Sequence, residues 1–484
     1  MRLANRYSST SCSIALQRNG KSGGTYRTEN ISELIDTLPG MLEGRSVSGR
    51  EAGGIGGSHA GPLFDTAAWL LRPIALMERL RRRFGDIFHF NLLGMGRVYM
   101  VSDPTLVKAI FTGDPALLHA GEVARLLEPV VGRHSVLVLD EAEHMAERRL
   151  LLPPFHGERI DAYTDLIGEV ARGEIRTWPS GSLVELHPRM QAITLEVIVR
   201  LVFGAKRESM RRALRRALGD LMDATGRSVA FQVPALRRDL GPWRPWSRLQ
   251  SQIEAVNRLI YEQIAGRRRS PATSGADVLG MLIDARREDG TALSDTQLRD
   301  ELVTVLAAGH ETTATALSWT FDLLLNHPSA MDRLREEVRD GNAAYADAVV
   351  REALRLRPVI PLVARRLTRP WRLDGRELPA GSVVSPSVYL MHRRPDVYPD
   401  PYAFRPERFL DSKPGTYTWL PFGGGRRRCI GAAFAQLEMR VVIQEVVRVL
   451  DLEPTGGRQS FARRSITIAP SQGTPVRVAA RTAV

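Results

Sequence analysis

Hydrophobic positions recur at helical spacing along most of the chain. Over residues 70–84, Leu71, Ile74, Leu76, Met77 and Leu80 oppose an Arg-rich side, which predicts a helix. Two strand-like runs follow at 87–93 and 98–101, with Gly94 and Gly96 between them as a turn. From about 104 to 355 the pattern is mainly helical, with helices expected over 104–111, 140–151, 159–178, 190–203, 209–225, 244–267, 276–287, 294–325 and 329–339. Ser294, with Gln297 three residues on, forms a capping box that opens the longest of these. That helix is apolar on nearly every side, through Leu302, Val305, Leu306, Leu317 and Trp319, so it is expected to be buried. Short β-like pieces between many prolines fill 360–420, and a last helix over 432–450 precedes a β-like tail. Residues 1–58, rich in Ser, Gly, Arg and Asn, carry no such pattern and read as a disordered tail. Residues 59–484 read as one large domain, mainly α with small β-sheets.

Composition narrows the class. At 484 residues and 43% hydrophobic, the chain can bury a large single core. Its longest apolar stretch, near 64–77, is broken by Asp65, Arg72 and Pro73, so no transmembrane anchor is expected. The N-terminus lacks a compact apolar signal core, which points to the cytoplasm. Two cysteines, Cys12 and Cys429, cannot build a disulfide framework, so a thiol is free for chemistry. Lys and Arg total 67 against 54 acidic residues, a formal charge of +13. The excess is mostly Arg scattered on helices without an aromatic-basic array, which favours an acidic protein partner over nucleic acid.

Cys429 sits in an unusual run, Phe422-Gly-Gly-Gly-Arg-Arg-Arg-Cys-Ile-Gly431. A lone cysteine is by default an inert small hydrophobe. Here, however, Gly423–Gly425 let the backbone pass close to a flat ligand where a Cβ would clash. Arg426, Arg427 and Arg428 surround the sulfur with positive charge, and a helix starting near 431–432 adds its positive end; both favour thiolate. With no second Cys or His nearby, that thiolate cannot form a zinc or iron–sulfur site, which need several protein ligands. It can be the single axial ligand of a haem, whose porphyrin supplies four more.

The spacing Phe422-x-x-Gly425-x-Arg427-x-Cys429-x-Gly431 resembles the cysteine-ligand signature of the cytochrome P-450 family. Three further segments fall in that family's order. Glu352-Ala-Leu-Arg355 resembles its Glu-x-x-Arg, a spacing that elsewhere is often a weak surface pair. With Arg408, in Phe404-Arg-Pro-Glu-Arg408-Phe, the resemblance implies a buried triad of structural role. Ala308-Gly-His-Glu311-Thr312-Thr313 interrupts the long apolar helix; the resemblance makes Glu311 a proton-relay acid and Thr312 the hydroxyl that orients the relay. Ala308 and Gly309 would make room for oxygen, and His310, at a variable position, would pack or face solvent. His144 and Arg148, one helical turn apart, resemble the family's propionate-binding pair. Arg427 is a third such donor and Arg365 a fourth, chosen over its neighbour Arg366 because adjacent strand residues face opposite ways.

The resemblance covers about residues 61–484, the family's proline-rich lead-in being absent here beyond Gly61-Pro62. It implies a triangular, mainly α-helical prism binding haem b (iron protoporphyrin IX), with Cys429 as axial iron ligand. The implied reaction is that of a monooxygenase: O2 is cleaved reductively at the haem and one oxygen atom enters a C–H or double bond. Leu126, Leu127, Val130, Val131, Val305, Ala308, Ile360, Leu362 and the helices of 190–245 are expected to contact substrate, which implies a lipophilic one. No nucleotide-binding Gly-rich strand–turn–helix is present, so a ferredoxin or flavodoxin with its NAD(P)H reductase is expected to supply electrons to a monomer. A peroxide-dependent haem-thiolate enzyme would lack the acid–Thr pair, and a haem sensor would have no use for it.

Overall fold

Residues 54–204, 208–227, 237, 239, 245–269, 277–412 and 415–481 are described by the computed structural model. The helix expected over 70–84 is two, α1 (Pro62–Leu71) and α2 (Pro73–Phe84), meeting at Arg72, whose φ of −142° is not helical. Pro73 is the cause, since it disfavours the helical region in the residue before it. Each helix begins on a proline, where the missing N–H is no loss. The strand runs form a hairpin as expected: β1 (Ile87–Leu92) pairs antiparallel with β2 (Gly96–Val101). Gly94 and Gly96 turn it with φ of +78° and +79°. Residues 54–58, expected in the tail, lie against β1, with His89 N–H donating to Gly56 at 3.0 Å and Ser58 N–H to His89 at 2.8 Å. The rest of that segment, 1–53, lies outside the described residues, Cys12 included.

Strands are numbered in chain order. A five-stranded sheet runs β1-β2-β8-β5-β3, with β3 at Leu118–His119, β5 at Arg365–Leu367 and β8 at Val383–Pro386. A three-stranded sheet joins β4 (Leu183–Glu185), β12 (Pro475–Arg481) and β9 (Leu450–Pro454). Two hairpins complete the β structure, β6–β7 (Trp371–Leu373, Arg376–Leu378) and β10–β11 (Phe461–Arg464, Thr467–Pro470).

Leaving single turns unnumbered, the helices continue as α3 (Pro104–Thr112), α4 (Glu141–Leu151), α5 (Thr164–Ile175), α6 (Leu186–Phe203) and α7 (Glu208–Arg227). Then come α8 (Pro245–Arg269), α9 (Val278–Asp284), α10 (Asp295–Leu325), α11 (Pro328–Arg339), α12 (Ala344–Leu356) and α13 (Ala432–Val449). The span expected at 276–287 shrinks to α9 because the chain turns at Gly290, φ +80°, and Arg286 bridges to Ala292. The capping box is formed: Ser294 Oγ accepts from Gln297 N–H at 3.3 Å and Gln297 Oε1 from Ser294 N–H at 3.0 Å. From there α10 runs through the main core, with Leu302, Leu306, Leu317 and Phe321 buried in it. Each such side chain contributes roughly 1.5–3 kcal/mol, which suffices to carry Thr and Glu residues inward on the same helix. It packs along α6 on one side and touches α12, α13 and β11 on others. Among the described residues no helix is long and apolar enough to cross a membrane.

Candidate active site

Cys429 closes a tight loop. Its N–H donates to Phe422 at 2.9 Å, Arg428 N–H donates to Gly425 at 3.1 Å, and Gly431 caps α13 just beyond. The area Cys429 exposes opens on an internal cavity of about 400 Å3, so the sulfur is reachable by a small molecule yet deep in the protein. Burial pushes the thiol up, over the opposing pull of the Gly431 N–H, Arg148 and Arg428. The helix start and Arg428 do favour thiolate as expected, joined by Arg148, and desolvation is the larger opposing effect. Gly424 and Gly425 do a different job from the one expected. A Cβ on Gly425, whose φ is +63°, would overlap the Phe111 carbonyl oxygen, and one on Gly424 would come within 2.7 Å of the Phe111 ring. They let the loop cross α3; Gly425 does not line the cavity, while Gly423 and Gly431 do.

One edge of this cavity is crowded with basic side chains. His144 and Arg148 of α4, Arg365 of β5 and Arg427 all line it. Arg427 pairs with Asp140 at 2.6 Å, Arg148 donates to the Arg428 carbonyl at 2.7 Å, and Arg365 donates to the Ala364 carbonyl at 2.8 Å. Burial, then Arg427, Arg148 and Arg365, drives His144 down to about 3. Burial followed by Arg427 takes Arg365 to about 10, and burial takes Arg427 to about 10 in spite of Asp140. Arg427 and Arg365 thus share the single carboxylate of Asp140 while Arg148 stands near Arg427, an environment that fits two added carboxylates such as haem propionates. Arg366 turns away, donating to the Gly381 carbonyl at 2.7 Å.

The opposite resource is α10. Val305, Ala308, Gly309 and Thr312 line the cavity, and Thr312 Oγ1 donates back to the Ala308 carbonyl at 2.6 Å. Glu311 does not reach this space. It lines an adjoining cavity of about 500 Å3, which shares Leu137, Thr304, Ala308 and Thr312 with the first. Its Oε2 accepts from Gln191 Nε2 at 2.6 Å, and its Oε1 lies 3.5 Å from His187 Nε2, both on α6. Burial works to raise the Glu311 carboxyl, but His187 and Gln191 together hold it below the usual range. His310 is buried rather than at the surface, with Nδ1 3.0 Å from Thr194 Oγ1.

Of the residues expected to meet substrate, Leu127, Val130 and Val131 line the second cavity and Val305 and Ile360 the first. Leu362 packs beneath the five-stranded sheet instead, and Leu126 lines neither space. The second cavity also carries Gln191, Asp223, Arg463 and Arg464, which a reading for apolar residues passes over. A signal for the α6 groups was present: His187, Gln191 and Thr194 stand at one-face spacing in a helix whose other buried residues, Glu196 apart, are apolar.

Glu352, Arg355 and Arg408 meet away from the cavity wall. Arg355 bonds both Glu352 oxygens, at 2.7 and 2.8 Å, and Arg408 Nε reaches Oε1 at 3.1 Å. The remaining Arg355 donors go to the carbonyls of His392, Pro401 and Ala403. Every donor of that buried guanidinium end is used, which is what makes a buried ion pair tolerable.

A deep cysteine, a cavity edged with buried guanidinium groups and a hydroxyl on the neighbouring long helix are features that a haem-thiolate protein would need. The family model described as Cytochrome P450 matches residues 56–473. Similar proteins include cytochrome P450 135B1 of Mycobacterium bovis, 39% identical over 419 residues, covering 84% of this chain and 87% of that one. Cytochrome P450 137 of Mycobacterium tuberculosis is 38% identical over 407 residues, covering 83% and 84%. Among solved structures, retinoic acid-bound cyanobacterial CYP120A1 superposes with a TM-score of 0.77 at 25% identity, covering 87% of this chain and 98% of that one. The chain belongs to the cytochrome P450 family, haem-dependent monooxygenases that use dioxygen and a redox partner.

Proposed function

We infer that the chain binds haem b through Cys429 and hydroxylates or epoxidises a lipophilic substrate held in the cavity of about 500 Å3 beside it, with electrons from a ferredoxin or flavodoxin. The observation that carries this reading is the pair of adjoining cavities, one faced by Cys429 and edged with cations, the other walled by Leu127, Val130 and Val131. When bound, the haem would supply reductive activation of dioxygen, which a thiolate ligand favours by donating electron density. Arg148, Arg365 and Arg427, with His144, would hold its propionates by charge-assisted hydrogen bonds. Ala308 would leave room for oxygen, whereas the side of Gly309 is taken by Ile198, which an added Cβ would meet at 3.1 Å. Thr312, on the wall common to both cavities, would hold a proton donor next to the reacting atoms; Glu311 would collect protons from the second cavity. The apolar walls would exclude bulk water and limit side reactions. Retinoic acid in the structural neighbour, an apolar chain with one polar end, is consistent with a substrate of amphipathic lipophilic class.

The test is the carbon-monoxide difference spectrum of the reduced protein. The expected result is the red-shifted Soret band of thiolate ligation, lost in Cys429→Ala with haem retained. A Cys429→Ala protein that kept the band would end the reading. Lipophilic compounds should then shift the spin state of the wild type, and substitution of Val130 by Trp should weaken that shift.

A further inference from the structure

We propose that His187 and Gln191 are positioning residues for Glu311: they hold its carboxylate in the second cavity and so control how protons reach Thr312. This rests on the monooxygenase reading above, with Glu311 as relay acid. The two side chains stand one turn apart on α6, and Thr194 and Ile198 continue the same stripe. Each addresses the polar interruption of α10. Thr194 Oγ1 donates to the His310 carbonyl at 3.1 Å, Gln191 Nε2 donates to Glu311 Oε2 at 2.6 Å, and Ile198 occupies the side of Gly309. His187 Nε2 lies 3.2 Å from Thr315 Oγ1 and 3.5 Å from Glu311 Oε1.

The orientation of His187 is set from behind. Arg464, in the β10–β11 hairpin, approaches His187 Nδ1 at 3.4 Å, and an arginine can only donate. With Nδ1 accepting from Arg464, Nε2 is the ring nitrogen left to donate, and it lies between Glu311 and Thr315. A hairpin on the wall of the substrate cavity thus fixes the donor that faces the relay acid. The other charged groups near this carboxylate are His310 on its own helix and, around the same cavity, Asp223 of α7 and Arg463 of β10. Glu311 opens on that cavity and not on the one at Cys429, so a proton it takes from cavity water would pass by way of the shared wall, where Thr312 is the adjacent residue with a hydroxyl. One proton is gained and one passed on; no electron moves at these groups.

The experiment compares His187→Leu, Gln191→Met and their double variant with His187→Gln, which keeps a donor near the Nε2 position, and with Glu311→Gln. The fraction of NAD(P)H electrons recovered in product, and its pH profile, should be read alongside crystal structures of the variants. The double variant should couple on the order of tenfold less well, within what a positioned proton-transfer group supplies. Its acid limb should move to higher pH, because burial is then opposed by neither donor. Its Glu311 side chain should leave α6 in the crystal, and His187→Gln should recover most of the loss. If the double variant kept wild-type coupling and pH profile while Glu311→Gln lost coupling, the α6 pair would be packing only and the proposal overturned. If Glu311→Gln also coupled normally, the relay reading itself would fall with it. The carbon-monoxide spectrum, unchanged in every variant, separates either failure from loss of the haem site.

Discussion

Arg365 is a buried guanidinium whose nearest charged neighbours include another cation, Arg427. Its replacement should have opposite effects on the two forms of the protein. Without haem, Arg365→Leu removes an unfavourable buried charge and should leave the melting temperature unchanged or raised. With haem, it removes a charge-assisted bond of about 1.5–3 kcal/mol, roughly a ten- to hundredfold loss of affinity in a haem titration. Equal losses in both forms would show that Arg365 is a packing residue. His310 offers a second test at this scale. Burial, with His187 adding and Glu311 opposing, lowers it to about 4, so the folded protein resists a proton the unfolded chain takes up at the ordinary histidine value. A lowered histidine contributes stability above the unfolded value of about 6.5 and loses it as pH falls toward about 4. Denaturant midpoints measured across that window should fall in the wild type and fall less in His310→Gln. Local chemistry of this kind was partly legible in the sequence. The Cys429 loop is contiguous, so its pattern could be read directly. The purpose of Gly424 and Gly425 could not, because Phe111, the group they make room for, is distant in the chain.

Among the elements, α12 and the turn after Pro406 are tied by Glu352, Arg355 and Arg408. Glu352 and Arg355 side chains are both 0% exposed, and Arg408 is 12% exposed. Removing one partner strands the other charge in the core, so Glu352→Gln and Arg355→Ala should each cost about 3–5 kcal/mol. Arg408→Ala should cost less, since water can reach the vacated site. Chemical denaturation followed by far-UV dichroism checks the order; equal, small losses would mean the pair is dispensable. The spacing of Glu352 and Arg355 on one helix face was visible in the sequence, as was the run that includes Arg408. Element boundaries were less so. The Arg72–Pro73 break splits an apolar pattern that reads as continuous, because periodicity is blind to one residue's φ. The α6 stripe was missed for a related reason: His187, Gln191 and Thr194 acquire meaning only once α10 lies against them.

Across the whole molecule, α10 is the partition between the Cys429 cavity and the cavity reached by Glu311, and electrons have to enter from outside both. Arg426 and Arg428 are both exposed on the loop that carries Cys429, Arg428 also lining its cavity. They stand on a chain with a formal charge of +13. An acidic ferredoxin approaching that loop would be drawn by both the local pair and the overall field, and charge steering raises association rates by 10-fold or more (roughly 10–1,000-fold) at low salt. Screening shortens to about 10 Å at 0.1 M salt and about 3 Å at 1 M, so the attraction should collapse between those conditions. The second-order rate of haem reduction by a reduced ferredoxin should therefore fall on the order of tenfold across that range. Arg426→Glu should lower the low-salt rate toward the high-salt one while leaving the carbon-monoxide spectrum intact, because its side chain does not line the Cys429 cavity. A rate insensitive to salt in the wild type would mean that apolar contact, not charge, brings the reductant to this face.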